Sequence, residues 1–568
     1  MKVRFLEVWR QSNVVKGVLI LEGLLLLVLL ANCFRARCDR AYGCGDLYMD
    51  SDVVQVAVSE DGTEYYLADL DDNITETTIL HTDYFSLWPG AYPAIIDYTS
   101  QVNYEEESNY QNGNGYFYLT TVDDSIYTRF DTLFLRNGTT SLEQTIRVTS
   151  PWKLSGLQMS VSYYGLGELA VSSLEVREIP AFRYLLFFTA ILLFVIFDLV
   201  AYVLLLDRNF HYEKEVGILT LVCLAAILPF IADYAYAGHD IDFHLQRILF
   251  LAEELRNGNY FPAILSQALN GYGYAVPLHY GQIFLYIPAF LYNCGVSLRV
   301  AYNIYICLLS IATCLVMYYC ALKIFKKTST ALLASALYTL SAVRLSNIFT
   351  RAALGEFTAQ TFYPLIFLGF YNIYTAPKNE KITIRKYWPI IVGLTGVVVS
   401  HLLSIVMCTM LILAFVLILI KKTLEPQRFF ALLKAAALTI AVSLAQLIPM
   451  ATSMGTDENV FYTVNYIQDY GAYLIQIFNS VVNNYQASMD DSGYALREMS
   501  YSIGFSLTLG LILFVVWRIR LKKAEAQEKD KSGFATLCWC AALVTIFLST
   551  KAFSTITLIF CRRVFILC

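Results

Sequence analysis

Residues 238–247, Gly-His-Asp-Ile-Asp-Phe-His-Leu-Gln-Arg, hold two carboxylates, two imidazoles and a guanidinium within ten positions. Groups of these types can take a proton from a hydroxyl, hold a divalent cation, or bind a phosphate. From Ile241 onward, apolar residues fall at 241, 245, 248, 252 and 255. That spacing predicts a helix with one apolar face, lying in a membrane interface. Asp240, His244 and Arg247 stand at i, i+4 and i+7 and share a face. Asp242 lies about 200° round from Asp240, unless the helix starts after it and leaves both carboxylates in the turn. A second cluster, Arg351 and Glu356, stands in Asn347-Ile-Phe-Thr-Arg351-Ala-Ala-Leu-Gly-Glu356. A solvated helix face is the ordinary explanation for such clusters. Here, however, four of the six histidines (His239, His244, His279 and His401) map to the same side of the expected membrane. Ionisable groups beside apolar spans are functional candidates by default.

The elements that must position these groups follow from composition. Of 568 residues, 57% are hydrophobic and only 15% charged, at a net charge of −5, against about 25% charged in soluble domains. This excludes a soluble enzyme, a disordered chain and a nucleic-acid binder. Thirteen cysteines are too few for a disulfide scaffold. Charge is also segregated. Residues 41–180 carry 22 acidic and 5 basic side chains, so the remainder is strongly positive. Two physical objects are expected.

The acidic object reads as strands. Val53–Ser59, Tyr116–Thr121, Thr132–Arg136, Gln158–Tyr164 and Leu174–Ile179 alternate in polarity, with turn clusters such as Asn112-Gly113-Asn114-Gly115 between them. An antiparallel β-sandwich of jelly-roll type is expected, similar to carbohydrate-binding modules. Its tyrosines suit stacking on sugars, although tyrosine is also a good strand former. Asn73 and Asn137 match the N-glycosylation pattern.

The apolar object begins with Gly17–Cys33 after a basic head, read as an uncleaved signal anchor. Further spans are expected at Tyr184–Leu206, Gly217–Tyr234, Arg299–Phe325, Ala331–Ala342, Phe357–Tyr374, Tyr387–Ser400, Leu402–Ile420, Phe429–Met450, Tyr501–Trp517 and Phe534–Leu548. Alternate connections plus the N-terminal head then hold 23 of the 41 Lys and Arg residues, the positive-inside pattern. Ile283–Cys294 is left out of the spans and read as an interfacial or re-entrant helix. The expected fold is a polytopic α-helical membrane protein of about 11 spans with an inserted exoplasmic sandwich. Its domains are 1–34 (anchor), 35–182 (sandwich) and 183–568 (spans, with an exoplasmic loop at 235–298). Residues 551–568 carry Arg562-Arg563 on the exoplasmic side and then stop, as a truncated or frame-shifted C-terminus would.

Gly238-His239-Asp240, Phe243-His244, Arg247-Ile248, Asn270–Tyr274 and Arg351–Glu356 together resemble the GT-C superfamily of membrane glycosyltransferases. The resemblance covers about residues 183–500. It is to a bacterial branch often labelled 6-pyruvoyl-tetrahydropterin synthase-related membrane proteins, although no residue here points to pterin chemistry. It implies transfer of a sugar from a polyprenyl-phosphate donor to an exoplasmic glycan or lipid acceptor at the plasma membrane. Under it, Asp240, Asp242 and Glu356 are the expected catalytic carboxylates, acting on one exoplasmic cavity. Arg247, Arg351 and His244 would bind the donor phosphate, with His239 and His401 in support. Two carboxylates plus histidine fit a divalent cation or a metal-free acid/base pair equally well. The rival class is a non-catalytic protein, either a lipid-linked glycan transporter or a scaffold displaying the sandwich. Asp198, inside a span, is the carboxylate such a transporter would use.

Overall fold

Alternating residues in the acidic segment bury one face in antiparallel sheets, and the computed structural model of the protein shows two such sheets packed together. The structure describes residues 13–50, 52–60, 62–69, 77–102, 113–122, 127–129, 132–206, 213–232, 234–236, 238–268, 272–378, 380–453, 477–478, 502–520 and 526–550. The basic head, Asn73, Asn270 and residues 551–568 lie outside these.

The strands are β1 Arg40–Tyr42, β2 Tyr48–Met49, β3 Val54–Val58, β4 Glu64–Ala68, β5 Thr77–His81, β6 Phe85–Leu87 and β7 Gly90–Val102. They continue with β8 Gly115–Val122, β9 Tyr127–Arg129, β10 Leu133–Phe134, β11 Ser141–Val148, β12 Leu154–Tyr163, β13 Gly167–Val176 and β14 Ala235–Tyr236. One sheet runs β11-β7-β13-β4-β3 with β1 beside β13. The other runs β14-β9-β8-β12-β5-β2, with β10 beside β8 and β6 beside β12. In β13, Leu169 and Val171 are buried, then Leu174 and Val176. A register shift between Val171 and Ser173 resets the phase so that both pairs face inward.

Tyrosine serves the core of this domain. Tyr66, Tyr92, Tyr98 and Tyr163 are buried in it. The Tyr66 hydroxyl accepts from the Gly45 N–H (2.8 Å) and donates to the Leu47 carbonyl (3.2 Å), while Tyr163 donates to the Asp69 carbonyl (2.7 Å). These four fill the core and are not available to stack on sugar. Tyr116, Tyr118, Tyr164 and Phe134 instead form a half-buried aromatic group, with Tyr116–Tyr118 and Tyr116–Tyr164 centroids 5.2 and 5.8 Å apart.

The helices longer than four residues are α1 Asn13–Cys33, α2 Pro180–Leu206, α3 Glu213–Ile227, α4 Ile241–Arg256, α5 Tyr286–Asn293, α6 Leu298–Phe325, α7 Thr328–Thr339 and α8 Ala342–Phe349. There follow α9 Leu354–Gln360, α10 Tyr363–Tyr374, α11 Ile384–Val398, α12 Leu402–Ile418, α13 Pro426–Ser453, α14 Phe505–Arg520 and α15 Ala526–Leu548. Among the described residues, five stretches are long and apolar enough to cross a membrane: Val15–Cys33, Pro180–Leu199, Leu298–Phe325, Thr328–Phe349 and Pro426–Ser453. Two expected spans are interrupted at a proline. The run at Phe357–Tyr374 breaks between α9 and α10, where Pro364 opens the new helix because its missing N–H is harmless only in the first turn. The run at Gly217–Tyr234 stops with α3 at Ile227, before a one-turn 3-10 segment containing Pro229. Ile283–Cys294 forms a 3-10 turn and the eight-residue α5.

The chain divides into two units. The first comprises Met1–Tyr274 with Gln282–Leu332, and the second Ala275–Gly281 with Leu333–Cys568. In the first, the sandwich joins helices α1 and α2 through Glu178. Its carboxylate accepts from Arg183 Nε (2.6 Å), Arg35 Nη1 (2.9 Å) and the Cys38 N–H (2.8 Å), with further contacts to both guanidiniums. The Tyr92 hydroxyl lies 3.3 Å from it. Burial alone raises this carboxyl, but the hydrogen bonds from Arg183 and Arg35 outweigh burial and hold it below its ordinary value.

Candidate functional site

In the first unit, the strand β14 delivers the acidic loop. Ala235 and Tyr236 pair with Arg129 and Thr128 of β9, so the chain leaving α3 adds an edge to the sandwich. Two further residues lead to His239, and helix α4 begins at Ile241. Asp240 takes the N-cap position, with its backbone carbonyl accepting from the His244 N–H at 3.1 Å. Asp242 sits in the first turn, where the helix dipole favours a carboxylate. His239, Asp240 and Asp242 are all exposed. The start at Ile241 decides against a helix that begins after Asp242: Asp240 is the N-cap and Asp242 is already inside the first helical turn.

His244 and Arg247 occupy the opposite environment. Both are buried, and the Arg247 guanidinium lies 3.5 Å from His244 Nδ1 and 5.4 Å from the Phe243 ring centroid. Phe243 in turn meets Tyr274 edge-on at 6.5 Å. Tyr274 is fixed by a two-hydrogen-bond bridge to Leu265 (3.0 Å each way), and Gly273 before it takes the left-handed backbone at φ +85°. The motif ending at Tyr274 thus packs a ring against the helix start.

Glu254, which the sequence reading did not single out, is the buried acid of α4. It accepts from the Ser266 N–H (2.7 Å) and Asn259 Nδ2 (2.7 Å), and from the Ser266 hydroxyl. Burial raises its carboxyl, yet these hydrogen bonds bring it below the ordinary value. It pins the following loop and is not a proton donor at neutral pH.

In the second unit, Arg351 Nη1 pairs with Glu356 and donates to Asn347 Oδ1 at 3.0 Å. Between them Ala352 is buried with φ +53°, a left-handed backbone that costs a residue bearing a Cβ about 1–2 kcal/mol. Gly355 lies against the Tyr280 hydroxyl, 2.3 Å from where a Cβ would stand. Tyr280 also meets the His401 ring edge-on at 5.5 Å. His401 begins α12, and its Nδ1 accepts from the Ser404 N–H (3.3 Å). Gly281 approaches Val399 so closely that a Cβ would lie 2.1 Å from the Val399 carbonyl oxygen. Tyr280 thus links Gly355 of the Arg-Ala-Ala-Leu-Gly-Glu turn to His401. No residue pattern singles out Tyr280, which follows the four-residue helix Val276–His279.

Asp240, Asp242, His239, His244 and Arg247 belong to the first unit, and Arg351, Glu356 and His401 to the second. Among the described residues, no group of three or more His, Cys, Asp or Glu side chains is arranged to hold a metal ion.

No protein-family model matches the chain. An uncharacterized protein of Lactococcus lactis subsp. cremoris (strain MG1363) is 24% identical over 219 residues, 38% of this chain. The match spans 35% of that relative's length. A solved family 6 carbohydrate-binding module aligns over 25% of this chain and 94% of its own, at 12% identity and a TM-score of 0.17. A likeness at that score says nothing about what this chain binds.

Proposed function

We propose that the protein is a GT-C-type membrane glycosyltransferase that moves a sugar from a polyprenyl-phosphate donor to an exoplasmic glycan or lipid acceptor. The observation that carries the reading is the pair Asp240 and Asp242, exposed at the start of an amphipathic helix that leaves the edge of the sandwich. A carboxylate there can accept the proton of an acceptor hydroxyl as the glycosidic bond forms. Arg351, held by Glu356 and Asn347, is suited to the departing phosphate. In this reading the chain crosses the membrane about 11 times, with the sandwich and residues 235–298 exoplasmic. The half-buried Tyr116 group is the surface offered to acceptor sugar rings.

Two experiments test it. Membranes containing the protein, incubated with a panel of polyprenyl-phosphate sugars, are expected to consume one of them in an acceptor-dependent manner. Consumption of none would remove the enzymatic reading. In a cysteine-free background, a cysteine at Asn259 should react with an impermeant maleimide in intact cells, while one at Lys378 should not. The reverse pattern would overturn the orientation.

A further inference from the structure

Helix α8 carries an arginine that no role above uses. Arg344 is among the largest fully buried side chains of the protein. Its guanidinium carbon Cζ lies 4.1 Å from the Phe357 ring centroid and 6.0 Å from that of Tyr338. Nη1 reaches the Phe357 carbonyl at 3.4 Å and Gln360 Oε1 at 3.5 Å, both long for hydrogen bonds. Among the described residues, Nε and Nη2 have no partner. These two nitrogens form the side edge of the guanidinium, the fork that grips two oxygens of a phosphate or carboxylate at once.

The next residue on the same face, Asn347 at i+3, repeats the pattern. Its Oδ1 accepts from Arg351, while its buried Nδ2 has no partner among the described residues. Every unfilled position here is a donor: Nε, Nη2 and Nδ2. Arg351 and Glu356, at 32% and 24% side-chain exposure, are the open end of this row. A buried cation is costly without a counter-charge, and ring contacts offset only part of that cost.

We infer that Arg344 and Asn347 form a binding site for the phosphate group of an amphiphile, with two phosphate oxygens on the Nε–Nη2 edge and a further one on Asn347 Nδ2. The identification of that amphiphile as the polyprenyl-phosphate carrier rests on the proposed function. The anion site itself rests only on the geometry of α8.

The test uses the purified full chain in detergent, with undecaprenyl phosphate, phosphatidylglycerol and inorganic phosphate as separate probes in binding titrations. Undecaprenyl phosphate should bind the wild type, and Arg344→Met should weaken it by about 10- to 100-fold, the scale of hydrogen bonds to a charged group. Arg344→Lys should fall between, keeping the charge and losing the fork, and Asn347→Leu should weaken binding less than Arg344→Met. Without ligand, Arg344→Met should melt no lower than wild type, since it removes an unpaired buried charge. If only phosphatidylglycerol or inorganic phosphate binds, with the same dependence on Arg344, the anion site stands and the polyprenyl-phosphate reading falls. Wild-type affinity in both Arg344 variants, or no binding of any probe by the wild type, would overturn the site.

Discussion

At the root of the sandwich, Glu178 is buried with two guanidiniums, a tyrosine hydroxyl and a backbone N–H around its two oxygens. In α8, Arg344 is as deeply buried, yet its best hydrogen-bonding edge meets no described partner. The two regions face the same desolvation cost and answer it differently. Around Glu178 every lone pair is used by the chain itself, which suits a joint fixing the sandwich to α1 and α2. Around Arg344 the chain supplies ring faces and leaves the donors, which suits a ligand that arrives later. A satisfied buried charge indicates architecture, and an unsatisfied one indicates a site.

The largest expected effect breaks the first region. Glu178→Ala leaves Arg35 and Arg183 without their counter-charge, and removing one member of a buried pair costs about 3–5 kcal/mol. A large drop in melting temperature in detergent should follow, whereas Arg344→Met should cause none. Equal losses in both would erase the distinction between the two regions. Acid titration sharpens the same contrast. Glu178 has a folded-state pKa below its ordinary value of 4.5, so it binds a proton less readily folded than unfolded. Its contribution is complete above that ordinary value and is lost as pH falls through the lower, folded one. Melting temperature measured downward from pH 7 should therefore show an acid-side decline that is smaller in Glu178→Gln.

Smaller effects probe close packing around the candidate residues. Gly281→Ala places a methyl group 2.1 Å from the Val399 carbonyl oxygen, so backbone must move. Overpacking of this kind costs about 1–3 kcal/mol, read as a lowered melting temperature with weakened His401 packing. Tyr66→Phe removes a hydroxyl that serves Gly45 and Leu47 in the sandwich core. The loss there is about 1 kcal/mol, measurable by the same melting experiment.

Apolar runs were the most readable part of the sequence. Arg299–Phe325 became the helix Leu298–Phe325, and Phe429–Met450 became Pro426–Ser453, because a span is defined by local composition. Alternation found Val54–Val58 and Gly115–Val122. It missed Gly90–Val102, the longest strand among the described residues, because its first half, Gly90–Ala94, is buried on both faces and reads as a continuous run through Pro93, with alternation only after it. The two-residue strand Ala235–Tyr236 exists only through its pairing with β9 and has no local signature. At the candidate site, residue types pointed to Asp240, Asp242, Arg351 and Glu356. They gave no account of Arg344, a single cation in a mostly apolar run whose significance lies in the Nε–Nη2 edge left without a partner among the described residues.

The proposal that Asp240 acts as a base on a sugar acceptor stands or falls with one assay. Transfer from the polyprenyl-phosphate sugar consumed by wild-type membranes is compared with Asp240→Asn and Asp198→Asn at matched expression and thermal stability. Loss of a general base lowers rate by about 10²–10⁴-fold, so Asp240→Asn should lose transfer to that extent while Asp198→Asn retains it. Transfer that survives in Asp240→Asn, Asp242→Asn and Glu356→Gln but disappears in Asp198→Asn would rule out base chemistry at these three carboxylates and favour a transporter.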